Sequence, residues 1–428
     1  MISSSLDSGA FERIVLLPEI QPWCMINKFL ISFLFCSISG LTFSQNAPDR
    51  FLHRDGRALK DSAGNAVLLR GVNLGGWLLW EGWMWGDGFK SQTRVKKRFS
   101  ELVGKEETEK FEKSVFLNLI TERDIEEISK AGFNVVRLPF NHRIFEFKGD
   151  TVSELSPGWA ILDSVVGWCK KYGVYAVIDM HAAPGGQSIF FIADHTRHEL
   201  LWKDEKSRKK TILLWKAISK HYAFNTTVAG YDLLNEPVPP KDRKLVNLYA
   251  RIISGIREND KNHLVILEGA NFAKRFTGFH ALPDSNMAFS FHIYTWLGGK
   301  PEVKVKAFAK IGMELNVPVW CGEWGENNYD LIRHTRDVME DPENGFSGWC
   351  YWSWKRVHSR FPNLNIIEPG EHWMKIMSWF KYPDHAHRPT KEETLLGMSE
   401  FLQATHANLL RRDKDLYEIL EVRKPRPN

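Results

Sequence analysis

The chain has 428 residues, of which 43% are hydrophobic and 25% charged, a globular balance that argues against intrinsic disorder. Lys+Arg 57 against Asp+Glu 52 leaves +5, dispersed along the chain, with no basic block to mark a nucleic-acid footprint. No apolar run reaches the roughly 18 residues of a membrane-crossing helix, which excludes a polytopic membrane protein; 17 tryptophans, 27 phenylalanines and 10 tyrosines supply flat aromatic surface for a core or a groove.

Residues 25–44, MINKFLISFLFCSISGLTFS, carry Lys28, an apolar stretch from Phe29 to Phe43, and small residues at −3 and −1 of a cut before Gln45. This is the pattern of a secretory signal peptide, too short to span a membrane. It predicts a secreted or periplasmic protein, with the cell surface as a further location. A buried core helix is the alternative, and Cys36 is a poor lipid acceptor with bulky Phe35 before it. Residues 1–24 contain Glu12, Arg13 and Glu19, which suit neither signal nor core, so Met25 is the expected start. Beyond the leader, Cys169, Cys321 and Cys350 are too few for a disulfide framework. No C-x-x-C or H-x-x-x-H spacing suggests structural zinc. Cys321 and Cys350 read as small buried hydrophobes.

Residues 45–66 read as an N-terminal β-hairpin, with turn signals at Asp55-Gly56 and Ala63-Gly64-Asn65. No repeat of fixed period follows. What recurs is a short β-rich apolar run followed by a helix-length amphipathic stretch. The runs are Val67–Asn73, Asn134–Pro139, Val174–Met180, Gly230–Asn235, His263–Glu268, Ala288–Tyr294, Val317–Glu323 and Gly348–Trp354. A helix starts at Thr121, with Asp124 in the place of a capping-box acid. Others are expected over Trp159–Lys171, Lys209–His221, Asp242–Glu258, Glu302–Leu315, Asp330–Glu340 and Lys391–Leu410. Eight such units predict an α/β fold, a (β/α)8 TIM barrel over residues 67–412 with long loops after strands 1 and 8; a doubly wound open sheet is the alternative. Residues 413–428 read as a frayed tail. No glycine-rich phosphate loop follows any run, so nucleotide binding has no support.

In a barrel the chemistry gathers where strands end. Here the runs end in Arg70 to Asn73, Arg137, Asp179 with His181, Asn235 with Glu236, Glu268, His292 with Tyr294, Glu323 with Trp324, and Trp352 with Trp354. A carboxylate there is expensive to bury unless paired. Two stand out. Glu236 lies in YDLLNEP and Glu323 between Gly322 and Gly325, on runs four and seven of eight, so their tips can face across the mouth. Two carboxyls flanking a gap are what glycoside hydrolysis needs; about 5–5.5 Å between them means retention and about 6.5–9.5 Å inversion. Asn235 and Glu236 would point to opposite sides of a strict strand, so a bulge or turn is expected there. Arg137 can hold a carboxylate ionised. Metal ligation by His181, His292 and Asp179 is a rival reading that the spacing does not favour. Trp77, Trp80, Trp83, Trp85, Trp296, Trp320, Trp324, Trp349, Trp352 and Trp354 stand near run ends, where rings can stack on the C–H faces of a sugar.

RGVNLGGW (70–77), NVVRLPF (134–140), VIDMHAAPGG (177–186), LLNEP (233–237), SFHIY (290–294), GEWG (322–325) and YWSW (351–354), in this order, resemble glycoside hydrolase family 5, the cellulase and exo-glucanase family of retaining enzymes. The resemblance covers about residues 67–356. It implies a double displacement with Glu236 as acid/base and Glu323 as nucleophile. It puts Asn235 on the sugar 2-hydroxyl, Arg137 and Tyr294 on the nucleophile, His181 and His292 on ring hydroxyls, and Trp352, with Trp354 in reserve, as the aromatic platform. No metal or organic cofactor is implied. The partner is an oligo- or polysaccharide, not a nucleic acid or a membrane, and a monomer is expected. Anionic Glu323 should raise the pKa of Glu236 and give a bell-shaped pH profile.

Residues 79–116 and 356–390, the latter with His358, His372, His385 and His387, depart from familiar members as insertions expected to cover the mouth. The opening motif leans towards exo-acting β-1,3-glucanases and β-glucosidases. An endo-β-1,4-glucanase or β-mannanase is the alternative within the family, and a non-catalytic carbohydrate-binding barrel the alternative outside it.

Overall fold

The computed structural model describes residues 51–421 except 89, 195–198, 359–360 and 385. The expected leader, the segment before it and the last seven residues lie outside the described residues.

Eight parallel strands close into a ring: β1 (Leu69–Asn73), β2 (Val135–Asn141), β3 (Tyr175–Ala182), β4 (Val228–Asp232), β5 (Leu264–Glu268), β6 (Met287–Ile293), β7 (Val319–Trp324) and β8 (Gly348–Tyr351). Each pairs with the next in the sequence, and β8 returns to β1 with Gly348 opposite Leu69. Strands covered on both faces must be apolar throughout, which is why the runs read as continuous hydrophobic stretches. Helices cover the outside, among them Pro157–Tyr172, Glu205–Tyr222, Asp242–Arg257, Pro301–Leu315 and Tyr329–Glu340. The helix Glu122–Lys130 opens with the reciprocal Thr121/Asp124 capping box. Between β5 and β6 stands only the short turn Ala270–Ala273.

The floor of the barrel is apolar. Leu69, Val135, Val177, Ala229, Leu264, Ala288, Trp320 and Cys350, one from each strand, form a cluster separate from the strand–helix core. Leu52 and Leu59 join it from the antiparallel hairpin Leu52–Asp55/Ala58–Asp61, so the hairpin stops the amino-terminal end of the barrel. The opposite end is left to carry the cavity.

Two strands are shorter than the sequence suggests. The fourth stops at Asp232 rather than Asn235, and the eighth at Tyr351 rather than Trp354. The last residues of both runs have left the ladder and are free to turn. The two long insertions build a layer of their own. Helices Gln92–Val103 and Lys105–Asn118 pack with Glu371–Lys381 and Lys391–Ala404 around Trp80, Trp85, Phe99, Phe111, Trp373 and Phe401. Trp80 and Trp85 are thus core rings rather than platforms. His358, His372 and His387 serve separate partners, Arg411, Glu400 and Asp384, and His385 is outside the described residues. The expected tail departs from its reading too. Asp413 caps a helix, Lys414–Leu420, whose Leu416, Ile419 and Leu420 are buried. Cys169, Cys321 and Cys350 are free and buried. No described helix is long and apolar enough to cross a membrane.

Candidate active site

The carboxyl ends of the strands meet at a cavity of about 380 Å³, lined among others by Glu81, Trp83, His181, Asn235, Glu236, Tyr294, Glu323 and Trp352. Glu236 and Glu323 face each other across it, with carboxylate oxygens within 4.8 Å of one another. Local backbone makes this possible. Past the end of β4, Glu236 adopts φ 44°, a left-handed conformation that is uncommon away from glycine. Its amide donates to Glu268 Oε2 at 2.6 Å, and both Asn235 and Glu236 reach the cavity. In β7 the pairing with β6 skips a residue, so Cys321 opposes Phe291 and Glu323 opposes His292. Gly322 is the skipped residue, and a Cβ there would lie 2.3 Å from Ser290 Oγ.

Arg137 is the hub behind the lining residues. Fully buried, it holds Asp232 through Nε at 2.9 Å and Glu268 and Asp179 through Nη2 at 2.9 and 3.1 Å, and its Nη1 lies 3.5 Å from Glu323 Oε2. A single cation among four carboxylates is more than the two-residue clamp the sequence suggested. Tyr294 donates to Glu323 Oε1 at 2.5 Å. Asn235 is fixed from both ends: its Oδ1 accepts from Arg137 Nη2 at 3.0 Å and its Nδ2 lies 3.2 Å from His181 Nε2. His181 Nδ1 in turn meets Asp179 Oδ2 at 2.7 Å. The Trp352 ring stacks on His181 with centroids 5.5 Å apart.

Two expected substrate contacts are elsewhere. Trp354 is 1% exposed, does not line the cavity, and donates its indole N–H to buried Asp124 at 2.9 Å. Alternation along a strand placed it beside Trp352, but the strand has ended by then. His292 stands behind the wall, with Nδ1 2.8 Å from Glu236 Oε1 and Nε2 3.1 Å from Glu268 Oε1, so it touches the acids rather than the cavity. Glu81, in the insertion after β1, was missed. It is buried, accepts from Trp83 Nε1 at 2.7 Å and lies 3.8 Å from His181 Nε2. Its only sequence signal was an acid inside a tryptophan-rich run.

The charges follow from burial and proximity. Burial pushes Glu81 up to about 8. Burial likewise raises Asp179 to about 8 against the pull of Arg137. Burial and Arg137 drive His181 down to about 3, so it is neutral. Burial opposes charge on His292, but Glu268, Glu323 and Glu236 outweigh it and hold the imidazolium well above its ordinary range. That imidazolium overturns one expectation. Burial would raise Glu236, yet its hydrogen bond to His292 brings it below the usual value. Glu323 is raised, by burial and then by the charge of Glu236 against the pull of His292 and Arg137. Glu236, His292 and Glu323 also lie close enough together to offer three ligand atoms to a metal ion.

An eight-stranded parallel barrel with a carboxylate pair at its carboxyl-terminal mouth defines the class of (β/α)8 glycoside hydrolases. The family model for cellulase (glycosyl hydrolase family 5) matches residues 100–357, and the chain belongs to that family. It is 34% identical over 340 residues to a "Beta-xylosidase" from Phanerodontia chrysosporium, covering 72% of this chain and 71% of the relative. It is 30% identical to "Endoglucanase C" from Acetivibrio thermocellus over 52% of this chain and 57% of the relative, so it spans little more than half of that protein. The crystal structure of an endogalactoceramidase superposes with a TM-score of 0.56 at 21% identity, over 72% of this chain and 75% of that one, a likeness of fold alone. The protein is an enzyme that hydrolyses β-glycosides, and its substrate is a carbohydrate.

Proposed function

We propose that the enzyme is a secreted, retaining exo-β-glycosidase acting on β-glucan or related β-glucosides, with Glu323 as nucleophile and Glu236 as acid/base. The observation that carries this is the gap between the two acids. Oxygens within 4.8 Å of each other fit the roughly 5–5.5 Å of retaining enzymes better than the roughly 6.5–9.5 Å of inverting ones. Glu323 attacks the anomeric carbon while Glu236 protonates the departing oxygen, and the C–O bond breaks. Glu236 then takes a proton from water, which attacks the same carbon and frees Glu323. The proton for the first step is at hand on His292, whose Nδ1 lies 2.8 Å from Glu236 Oε1. Tyr294 and Arg137 hold the Glu323 carboxylate that attacks.

Exo action and a short substrate are supported by Glu81 and Trp83, which the insertion after β1 brings into the cavity. A volume of about 380 Å³ is at the small end of ligand pockets, about 300–1,000 Å³, and suits a terminal residue better than a polymer lying along a groove. Secretion rests on the leader-like pattern of residues 25–44. An endo-β-1,4-glucanase or β-mannanase remains the alternative, and a non-catalytic barrel has no use for a second acid so placed.

Glu323→Gly should abolish turnover of an activated β-glycoside, and added azide should restore it with an α-glycosyl azide as product. Failure of azide to restore turnover, together with a first product of α-configuration from the wild type, would refute the double displacement.

A further inference from the structure

The cavity lining holds two unlike sets of side chains. One is polar, with Glu81, His181 and Asn235 around Trp352. The other is apolar and built from separate loops: Phe191 and Ile192 after β3, Phe272 after β5, Trp296 and Leu297 after β6, and Phe361 after β8. Lys274, two residues beyond Phe272, is one of the positive charges acting on Glu236, so the β5 loop stands on the acid/base side, where a leaving group departs.

Three further observations concern this apolar side. Two of the polar groups beside it are engaged with protein, while the Lys274 ammonium lies 5.7 Å over the Phe272 ring. Glu326 spends its carboxylate on the amides of Thr295 and Trp296 and the hydroxyls of Thr295 and Thr335. The Arg356 guanidinium lies against the Trp83 and Phe361 rings and donates to Phe361 O. Secondly, the rim exposes large apolar side chains, with Leu297 at 65% and Phe190 at 43%, where an isolated protein gains nothing by showing them. Thirdly, Asn271, Phe272 and Ala273 have φ 57°, 62° and 57°, three successive left-handed residues without a glycine. Each is unfavourable for an L-residue, and strain of this kind is kept at ligand clamps, where it holds a group in place. What it holds here is Phe272, edge-on to Phe190 at 5.0 Å, while Trp296 packs on Phe361 at 5.2 Å.

The geometry points to an apolar leaving-group site, which narrows the proposed substrates from β-glucan to β-glycosides whose aglycone is an alkyl or aryl group, received by Phe272, Trp296 and Leu297. Aromatic rings alone would serve a sugar as well. Ile192 and Leu297 would not, since branched aliphatic chains offer its hydroxyls neither a partner nor a flat face. This rests on Glu236 being the acid/base.

The test is kcat/KM of the full chain on methyl, butyl, hexyl and octyl β-glucosides and β-xylosides below their micelle concentrations, beside cellobiose and laminaribiose. Alkyl alcohols are leaving groups of similar basicity, so the series reads binding of the aglycone. We expect kcat/KM to climb about 2–4-fold per methylene until the site is filled, the octyl glycoside to exceed both disaccharides, and Leu297→Ser, a change at an exposed side chain, to reduce the slope. A flat series, or disaccharides cleaved faster than the octyl glycoside, overturns the inference while leaving the hydrolase intact. Absence of turnover on every glycoside would overturn the catalytic assignment and this inference with it.

Discussion

The two ends of the barrel are made by the same strands and have opposite chemistry. Inward-facing positions step along each strand by two. In β2 the step runs from Val135 to Arg137, in β3 from Val177 through Asp179 to His181, in β5 from Leu264 through Ile266 to Glu268, and in β6 from Ala288 through Ser290 to His292. The first inward residue of each strand belongs to the plugged apolar floor, and the last belongs to the network at the mouth. Half a strand of burial therefore secures the other half, where five buried acids, Glu81, Asp179, Asp232, Glu268 and Glu323, and the half-buried Glu236 stand around Arg137 and a charged His292. Such a network is a poor source of stability but a precise way to aim two carboxyls.

That division can be broken from either end. Arg137→Met should have the largest effect, because it removes the guanidinium that Asp179, Asp232, Glu268 and Glu323 share and leaves His292 to face Glu268 and Glu323 alone. A loss of about 3–5 kcal/mol in unfolding free energy is expected, together with kcat, read by denaturant unfolding and steady-state kinetics. Trp320→Ala in the floor should cost a similar or slightly smaller amount, about 3–5 kcal/mol for a large buried ring. Yet kcat/KM of the folded fraction should change only a few-fold at a temperature well below the new midpoint, and a loss of activity as deep as that of Arg137→Met would contradict the separation of floor and mouth. The smallest effect is one of pH. The Glu81 carboxyl is raised to about 8 in the fold, while the unfolded chain gives up this proton near 4.5. The unfolded state thus holds fewer protons between these values, and stability should fall as pH rises from about 4.5 to 8. Glu81→Gln should remove part of that slope, on the order of 2–4 kcal/mol across the window, measured as the midpoint of thermal unfolding at several pH values. An unaltered slope would mean that Glu81 ionises freely in the folded protein.

The insertions give a second contrast. Their tryptophans resemble one another in the sequence, yet Trp83 lines the cavity while Trp80 and Trp85 pack against Phe111 in the outer helical layer. Spacing does not separate them, because which ring turns inward depends on helices that come from residues 92–118 and 371–404, far apart in the chain. Buried Lys355 shows the same dependence. It pairs with Asp124 at 2.7 Å, and Asp124 also accepts from Trp354, so the residue taken for a platform is part of the clasp that ties the last strand's continuation to the capped helix before β2.

Much of the barrel was written in local pattern. Eight apolar runs of strand length and the capping and turn signals between them depend on neighbours only a few residues away, and they specify strands, helices and order. The end-of-run polar residues marked the mouth because a buried charge there has no bland explanation. Two things lay beyond local pattern. The β7 ladder skips Gly322 directly before Glu323, the β3 ladder skips His181, and Glu236 lies past the end of β4, so period-two counting fails at these residues of the mouth. And the charge on His292, which reversed the expected order of Glu236 and Glu323, arises from three acids delivered by β4, β5 and β7. The sequence alone determined that these acids exist and at which ends of which elements they fall. Only the closing of the ring decided their distances, and in a buried site distance sets which of them keeps a proton.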